Sequence, residues 1–206
     1  MQFWKSLTEE PAAFIAIYGS LAAKLTGITF SLFGLILIKD NYIRENIPNP
    51  ENEAKSLIEV LSLIANLTTV PNGLLFGWLS DRFKAWKLLL LTLLAVSGFI
   101  TLFIVYIESN HVAFKVGYVG VQILNQNIAM LSLIILGRVA KPDSRGTLYG
   151  ASGLVGSIGV LLINKLGSTL YQRTTSHSWP FLIAAGVYAG YLALVMALGA
   201  CRKLKV

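Results

Sequence analysis

One lysine and four amide side chains stand inside stretches of the chain that are otherwise free of charge. Lys24 is the single charged residue in the apolar stretch 11–38. An ammonium group near the middle of a bilayer costs at least about 2.5 to 3.5 kcal/mol on insertion scales, so it must face protein or water. Three of the amides stand at positions i, i+3 and i+4 and therefore share one face of a helix. The amides are Gln122, Asn125 and Gln126, together with Asn66 on an earlier segment.

These residue types permit two kinds of chemistry. A lysine and amides that face a common space can bind a small anion through hydrogen bonds, some of them assisted by charge. The same groups can instead hold helices together, at about 1 kcal/mol or less for each hydrogen bond between helices. In that second case Lys24 pairs with the amides or with an acidic residue of a neighbouring subunit. The residue pattern leaves both interpretations open.

The sequence contains no recognisable catalytic constellation. It offers no nucleophile paired with a base, no carboxylate dyad and no set of metal ligands. The single cysteine, Cys201, and the two histidines, His111 and His177, lack the spacing of a metal site. We therefore expect a protein that is not an enzyme and that uses no cofactor and no metal.

The elements that carry the lysine and the amides must be membrane helices. Of the 206 residues, 55% are hydrophobic and 13% are charged, whereas about 25% of the residues of a soluble domain are charged. Five charge-free stretches reach the length of about 18 residues that crossing a bilayer requires. The stretch 11–38, whose single charge is Lys24, is long enough to be a sixth span. Although the net charge is +7, six spans leave no room for a nucleic-acid-binding module.

We therefore predict an all-α membrane protein with a single six-helix transmembrane domain over residues 1–206, surrounded by a lipid bilayer. The longest connection is predicted at 39–56, whose last residues are a candidate start for a helix along the membrane interface. The six helices are expected at about 11–38, 57–80, 87–107, 112–137, 146–170 and 178–201.

The distribution of basic residues predicts the orientation in the membrane. If the helices alternate in direction, the membrane face that holds both termini has ten basic and four acidic residues. On the opposite face the numbers of basic and acidic residues are equal. Basic residues in short loops favour the cytosolic or matrix side, so we expect both termini there. The organelle stays open, and the matrix alternative corresponds to the mitochondrial inner membrane. The basic residues of the charged face are Lys5, Arg82, Lys84, Lys87, Arg138, Lys141, Arg145, Arg202, Lys203 and Lys205.

Small residues indicate which helix faces lie close to a neighbour, because helix association in lipid depends on close packing. The fifth helix carries Gly150, Gly153 and Gly156 at intervals of three residues, and the sixth carries Gly186 and Gly190 one turn apart. We expect these faces to be buried against other helices. A second interpretation makes the glycine ridge a surface along which one bundle slides.

The connection between the second and third helices contains a recognisable motif. Residues 71–87 read PNGLLFGWLSDRFKAWK. This segment resembles the loop signature of the major facilitator superfamily, in which a glycine, three further residues, an acid and a base precede a glycine and two more bases. Gly77, Asp81 and Arg82 match this signature. Lys84 stands where the family usually has glycine, and basic residues are replaced at 85 and 86.

A second segment supports the resemblance. Residues 143–150 read DSRGTLYG and open a glycine-rich helix, as the entry to the fifth helix of a six-helix half does in that family. The resemblance implies one half of a twelve-helix fold. Division of the chain near Asn110 gives two blocks of three helices of nearly equal length, which predicts two three-helix inverted repeats, a recurrent plan in secondary transporters. The C-terminal half is favoured because no long central loop follows the sixth helix.

The resemblance also implies roles for the polar residues. In the family, the first and fourth helices of each half line a central cavity, so Lys24 would face the amides of the fourth helix in a pocket for a small anion. The family uses the loop carboxylate, here Asp81, to latch one half against the other. With no second half encoded, Asp81 can instead form a structural ion pair with Arg138 or Arg145 of its own face.

Two functions follow from these observations. Transport by alternating access needs two bundles that move about a central site, and this chain is expected to supply one. We favour a structural or accessory subunit of a larger membrane complex. The chain has half the family's length, and its loop motif lacks the second glycine and the two bases that usually follow it. The alternative is a half-transporter that pairs with itself or with a separate half and moves a small anionic solute.

Overall fold

The computed structural model describes residues 10–107, 111–173 and 178–200. In this part of the chain six helices are long and apolar enough to cross a membrane, which confirms the predicted all-α membrane fold. Residue 201, the predicted end of the sixth helix, lies outside the described residues. The helices are α1 (Pro11–Arg44), α2 (Pro50–Arg82), α3 (Ala85–Val105), α4 (Val112–Val139), α5 (Arg145–Arg173) and α6 (Trp179–Ala200).

The first connection is shorter than the insert that the sequence indicated. Helix α1 continues to Arg44 and α2 already begins at Pro50, so residues 45–49 join them. Proline suits the first helical turn because the N–H that it lacks would have no partner there. Asn46 and Asn49 have φ angles of 55° and 50°, a left-handed conformation that asparagine adopts more readily than most residues. The polar residues after Pro50 therefore extend α2 as a helix.

Helix α1 lies at the centre of the bundle. It contacts α2, α4, α5 and α6, whereas α3 packs mainly on α4 and α6. In the most apolar 18-residue stretch of α1, 56% of the residues are buried, against 11% in α2. Helix α2 therefore lies at the edge of the bundle, and most of its apolar side chains face outward.

A cluster of aromatic rings joins four of the helices. The ring centroid of Phe103 in α3 lies 4.7 Å from that of Phe114 in α4, 4.8 Å from Phe30 in α1 and 4.9 Å from Phe181 in α6. Aromatic pairs at such distances contribute about 0.5 to 1.5 kcal/mol beyond the area they bury. All four rings are buried. The cluster therefore sets the relative positions of α1, α3, α4 and α6.

The contact between α1 and α5 depends on small residues. A Cβ atom added at Gly167 would lie 2.8 Å from the ring of Phe33, and one added at Gly159 would collide with Leu21. The absence of these Cβ atoms lets the two helices approach closely. The buried residues of α5 recur at intervals of three or four positions and therefore share one helix face. They are Leu148, Ser152, Gly156, Gly159, Ile163 and Gly167.

We expect Gly117→Ala to destabilise the bundle. A Cβ atom at Gly117 would lie 2.9 Å from the backbone nitrogen and 3.0 Å from the Cα of Phe103, so α3 and α4 must separate. Overpacking of this kind costs about 1 to 3 kcal/mol. The measurement is the apparent Tm of the purified protein in detergent.

The matched control is Gly98→Ala in α3, where an added Cβ meets no described atom within 4 Å. This variant should be unchanged or slightly stabilised, because alanine favours a helix over glycine by roughly 0.5 to 1 kcal/mol. An equal loss of Tm in the two variants would contradict the close approach of α3 and α4.

Candidate functional site

A polar cavity of about 570 Å³ lies between α1, α2, α4 and α5. It is lined by Lys24 of α1, Asn66 of α2 and the three α4 amides Gln122, Asn125 and Gln126. The structure thus brings all five predicted binding residues to one space. Two hydroxyl side chains and a set of small or apolar side chains complete the lining, namely Ser31, Ser62, Ala23, Gly27, Ile28, Ala65, Ala129 and Val160.

The side chain of Lys24 extends from α1 across α5. Its Nζ donates a hydrogen bond of 3.2 Å to the carbonyl oxygen of Gly153, which also accepts from the hydroxyl of Ser157 at 2.9 Å. Its stem crosses Gly156, where an added Cβ would lie 2.5 Å from the Cδ of Lys24. A residue with a side chain at 156 would therefore force the lysine out of this position.

The charge of Lys24 is not neutralised within the bundle. The residue is exposed, and in the part of the chain that the structure describes no carboxylate lies within 4.0 Å of its ammonium group. An ammonium group has three donors, and the carbonyl of Gly153 takes one of them. Two donors thus remain for water or for an anion in the cavity.

Asn125 is held by two hydrogen bonds inside the bundle. Its Nδ2 donates to the carbonyl oxygen of Ala23 at 3.0 Å, and its Oδ1 accepts from the hydroxyl of Tyr188 at 2.5 Å. The sequence did not identify Tyr188, because one tyrosine in an apolar helix resembles any other buried ring. Asn125 therefore links α1, α4 and α6 and forms a fixed part of the cavity wall.

The other amides are held more weakly. Gln126 donates to the Oδ1 of Asn66 at 3.4 Å, and Gln122 donates to the hydroxyl of Tyr118 at 3.4 Å. Both distances exceed the usual range of 2.7 to 3.2 Å. These amides can therefore exchange their partners for a ligand at small cost.

The helix that carries Lys24 changes its geometry beside the cavity. Residues Thr29–Phe33 form a π-helical segment within α1, and Ser31 in this segment lines the cavity. Such segments occur mostly as single turns and often at functional sites. The hydroxyl of Tyr118 donates to the carbonyl oxygen of Phe30 at 3.3 Å, which satisfies a carbonyl of the irregular turn.

The loop motif lies at the end of α2, where Asp81 pairs with a residue of its own bundle. Its Oδ1 is 3.4 Å from Arg138 of α4, and Arg138 also donates to the carbonyl oxygen of Ser80 at 2.7 Å. Arg82 lies over the ring of Trp78, 4.5 Å from its centroid. At Gly77 an added Cβ would meet no described atom within 4 Å.

The sequence of these helices matches a known protein family. The model of the MFS_1 like family matches residues 49–205, which is most of the chain. The chain belongs to this family. The resemblance to the major facilitator superfamily is therefore confirmed, whereas no curated protein matches the chain. The match begins at α2, so Lys24 of this MFS_1-like protein lies outside it.

The five glycines predicted to mediate packing have different surroundings. Gly156 lies against Lys24, and a Cβ atom added at Gly190 would lie 3.3 Å from the hydroxyl oxygen of Tyr18. These two stand at contacts between helices. An added Cβ would meet no described atom within 4 Å at the remaining three, which are Gly150, Gly153 and Gly186.

The cavity of the MFS_1-like protein is lined by hydrogen-bonding groups together with small and apolar side chains. Its lining offers one ammonium group, amides and hydroxyls. Across residues 10–107, 111–173 and 178–200, no three His, Cys, Asp or Glu side chains come together as metal ligands. The arrangement can donate hydrogen bonds to an anion.

We expect Tyr188→Phe to destabilise the MFS_1-like protein. The change removes the hydroxyl that donates to Asn125 and leaves a buried carbonyl oxygen without that donor. The loss should be about 1 to 2 kcal/mol, seen as a lower apparent Tm.

The matched control for this change is Tyr149→Phe. The hydroxyl of Tyr149 donates over 3.4 Å to the carbonyl oxygen of Leu133, and the residue is exposed. The Tm of the Tyr149→Phe variant should therefore stay close to that of the unchanged protein. If both variants melt at the temperature of the unchanged protein, the Asn125–Tyr188 link contributes nothing.

Proposed function

We propose that the six-helix bundle binds a small anionic solute in the polar cavity and moves it by alternating access against a second bundle. The second bundle is another copy of this chain or a separately encoded half. The observation that carries the proposal is the meeting of Lys24, Asn66 and the α4 amides at one cavity. These residues come from three helices that the sequence separates widely.

The charge of the cavity favours an anion. Lys24 is the single charged residue among the described residues that line it. An anion with oxygen atoms gains charge-assisted hydrogen bonds from the ammonium group, and such bonds are about twice as strong as neutral ones. Gln122 and Gln126 can add neutral donors, because the hydrogen bonds that they now make are long.

The exposure of Lys24 supports the need for a second bundle. An exposed ammonium group cannot stay against hydrocarbon, so protein or water must cover this side of the cavity. Helices α2 and α5 both supply lining residues to the cavity and have exposed apolar side chains, among them Leu67, Leu74 and Leu161. Alternating access moves two bundles about a site between them, which fits a site on an open face.

A second candidate function is the structural or accessory subunit that the sequence favoured. Asp81 pairs with Arg138 of the same bundle, so the loop carboxylate already has an internal partner. In this alternative the cavity is an interface, and Lys24 hydrogen-bonds to a neighbouring subunit. The inverted repeat and the cytosolic or matrix position of the termini stay predictions in both cases.

We expect Lys24→Gln to lower solute uptake at least about tenfold, because a hydrogen bond to a charged group contributes roughly 1.5 to 3 kcal/mol. The measurement is the uptake of radiolabelled inorganic phosphate and of radiolabelled lactate into proteoliposomes that contain the full chain. Lys24→Arg should retain part of the uptake. Lys165→Gln, which changes a lysine of α5 outside the cavity, should retain all of it.

Two outcomes would count against transport. One is uptake of both probes no greater than that of empty liposomes, and the other is equal uptake by Lys24→Gln and the unchanged protein. Size-exclusion chromatography of each variant shows whether it still assembles.

The composition of the purified protein separates the two candidate functions. A self-paired half-transporter should have about twice the chain's mass of 22.4 kDa in native mass spectrometry from a gentle detergent. A complex of several different subunits that takes up neither probe would support the accessory role instead.

A further inference from the structure

A second cavity lies on the outer side of the bundle, between α2, α3 and α4. Its volume is about 390 Å³, and it shares no described lining residue with the polar cavity. We call it the α2–α4 groove. Except for one lysine, its described lining is made of apolar side chains and one glycine, and the apolar ones are Leu61, Ile64, Phe99, Val116, Val119 and Ile123.

The one charged residue of the groove is Lys115, which lies in the first turn of α4. Within residues 10–107, 111–173 and 178–200, no carboxylate lies within 4.0 Å of its ammonium group. The N-terminus of α4 adds a partial positive charge at the same level. The end of the groove near Lys115 is thus positive, and the rest is apolar.

The length of the groove matches one leaflet of a bilayer. From Lys115 to Ile123 the helix advances by eight residues, which is about 12 Å, and half of the hydrocarbon core measures about 15 Å. Lys115 lies near the start of a membrane-spanning helix, where a lysine stem can follow apolar surface while its ammonium group reaches the headgroups.

We propose that the α2–α4 groove binds an anionic phospholipid. One acyl chain lies along Val119 and Ile123, and the ammonium group of Lys115 contacts the phosphate of the headgroup. The groove opens outward, since Ile64 and Val116 are 45% and 47% exposed.

The nearest acidic residue along α2 does not oppose this assignment. Glu59 is two residues before Leu61, which places it about 200° around the helix from the side chain that lines the groove. It is on the same helical face as Ser62 and Asn66, which line the polar cavity.

The test is native mass spectrometry of the full chain in detergent with equal amounts of phosphatidylglycerol and phosphatidylcholine of matched acyl chains. We expect the protein to retain more phosphatidylglycerol. Lys115→Gln should lower that retention about fivefold, the ratio that one lysine near an anionic headgroup supplies. Lys115→Arg should preserve the retention of phosphatidylglycerol. The control Lys165→Gln, which changes a lysine of α5 outside the groove, should preserve it as well.

A second variant tests the apolar part of the groove. Val119→Trp fills the groove and should lower the retention of both lipids, provided that its Tm shows a folded protein. Glycerol phosphate in the buffer should not displace the lipid, because it lacks the acyl chain.

The proposal is overturned if the two lipids are retained equally, or if Lys115→Gln matches the unchanged protein. Displacement by glycerol phosphate would assign the site to a free anion. A folded Val119→Trp variant that loses self-association while keeping both lipids would assign the groove to a second copy of the chain.

Discussion

The placement of one ammonium group inside a membrane helix constrains the rest of this bundle. Lys24 stands in α1, which contacts α2, α4, α5 and α6, and its burial in hydrocarbon would cost at least about 2.5 to 3.5 kcal/mol. The bundle avoids this cost in three ways. Gly156 leaves room for the stem, the carbonyl of Gly153 accepts a hydrogen bond, and the polar cavity exposes the charge. The close approach of α1 and α5 is therefore linked to the cation.

The walls of the cavity differ in how firmly they are held. On one side Asn125 joins α1, α4 and α6 through Ala23 and Tyr188, with hydrogen bonds of 3.0 Å and 2.5 Å. On the other side α2 has little buried surface and meets α4 at the cavity through the 3.4 Å bond between Gln126 and Asn66. The amide wall on the α2 side is thus held by a longer hydrogen bond than the wall that Asn125 forms.

The end of α2 shows how a family motif depends on its surroundings. Asp81 is 81% exposed in its ion pair with Arg138, and exposed pairs contribute only about 0 to 1 kcal/mol. Arg138 also donates to the carbonyl of Ser80 over a shorter distance, 2.7 Å. The arginine thus holds the end of α2 on α4 mainly through the backbone, and its ion pair with Asp81 adds little to that contact.

The sequence by itself determined the environment and the number of helices, because the length of a charge-free apolar stretch follows directly from bilayer thickness. It also singled out Lys24, Asn66 and the α4 amides, which line the cavity, since a charge or a row of amides stands out in an apolar stretch. It did not single out Ser62, a common residue with no such contrast. Tertiary structure alone decided which groups contact these polar residues. Lys24 lies against Gly153 and Gly156. Tyr188 donates a hydrogen bond to Asn125, and Arg138 rather than Arg145 pairs with Asp81. Those contacts join residues far apart in the chain, and they depend on helix rotation and separation. Apolar packing sets both, and the spacing of polar residues does not encode them.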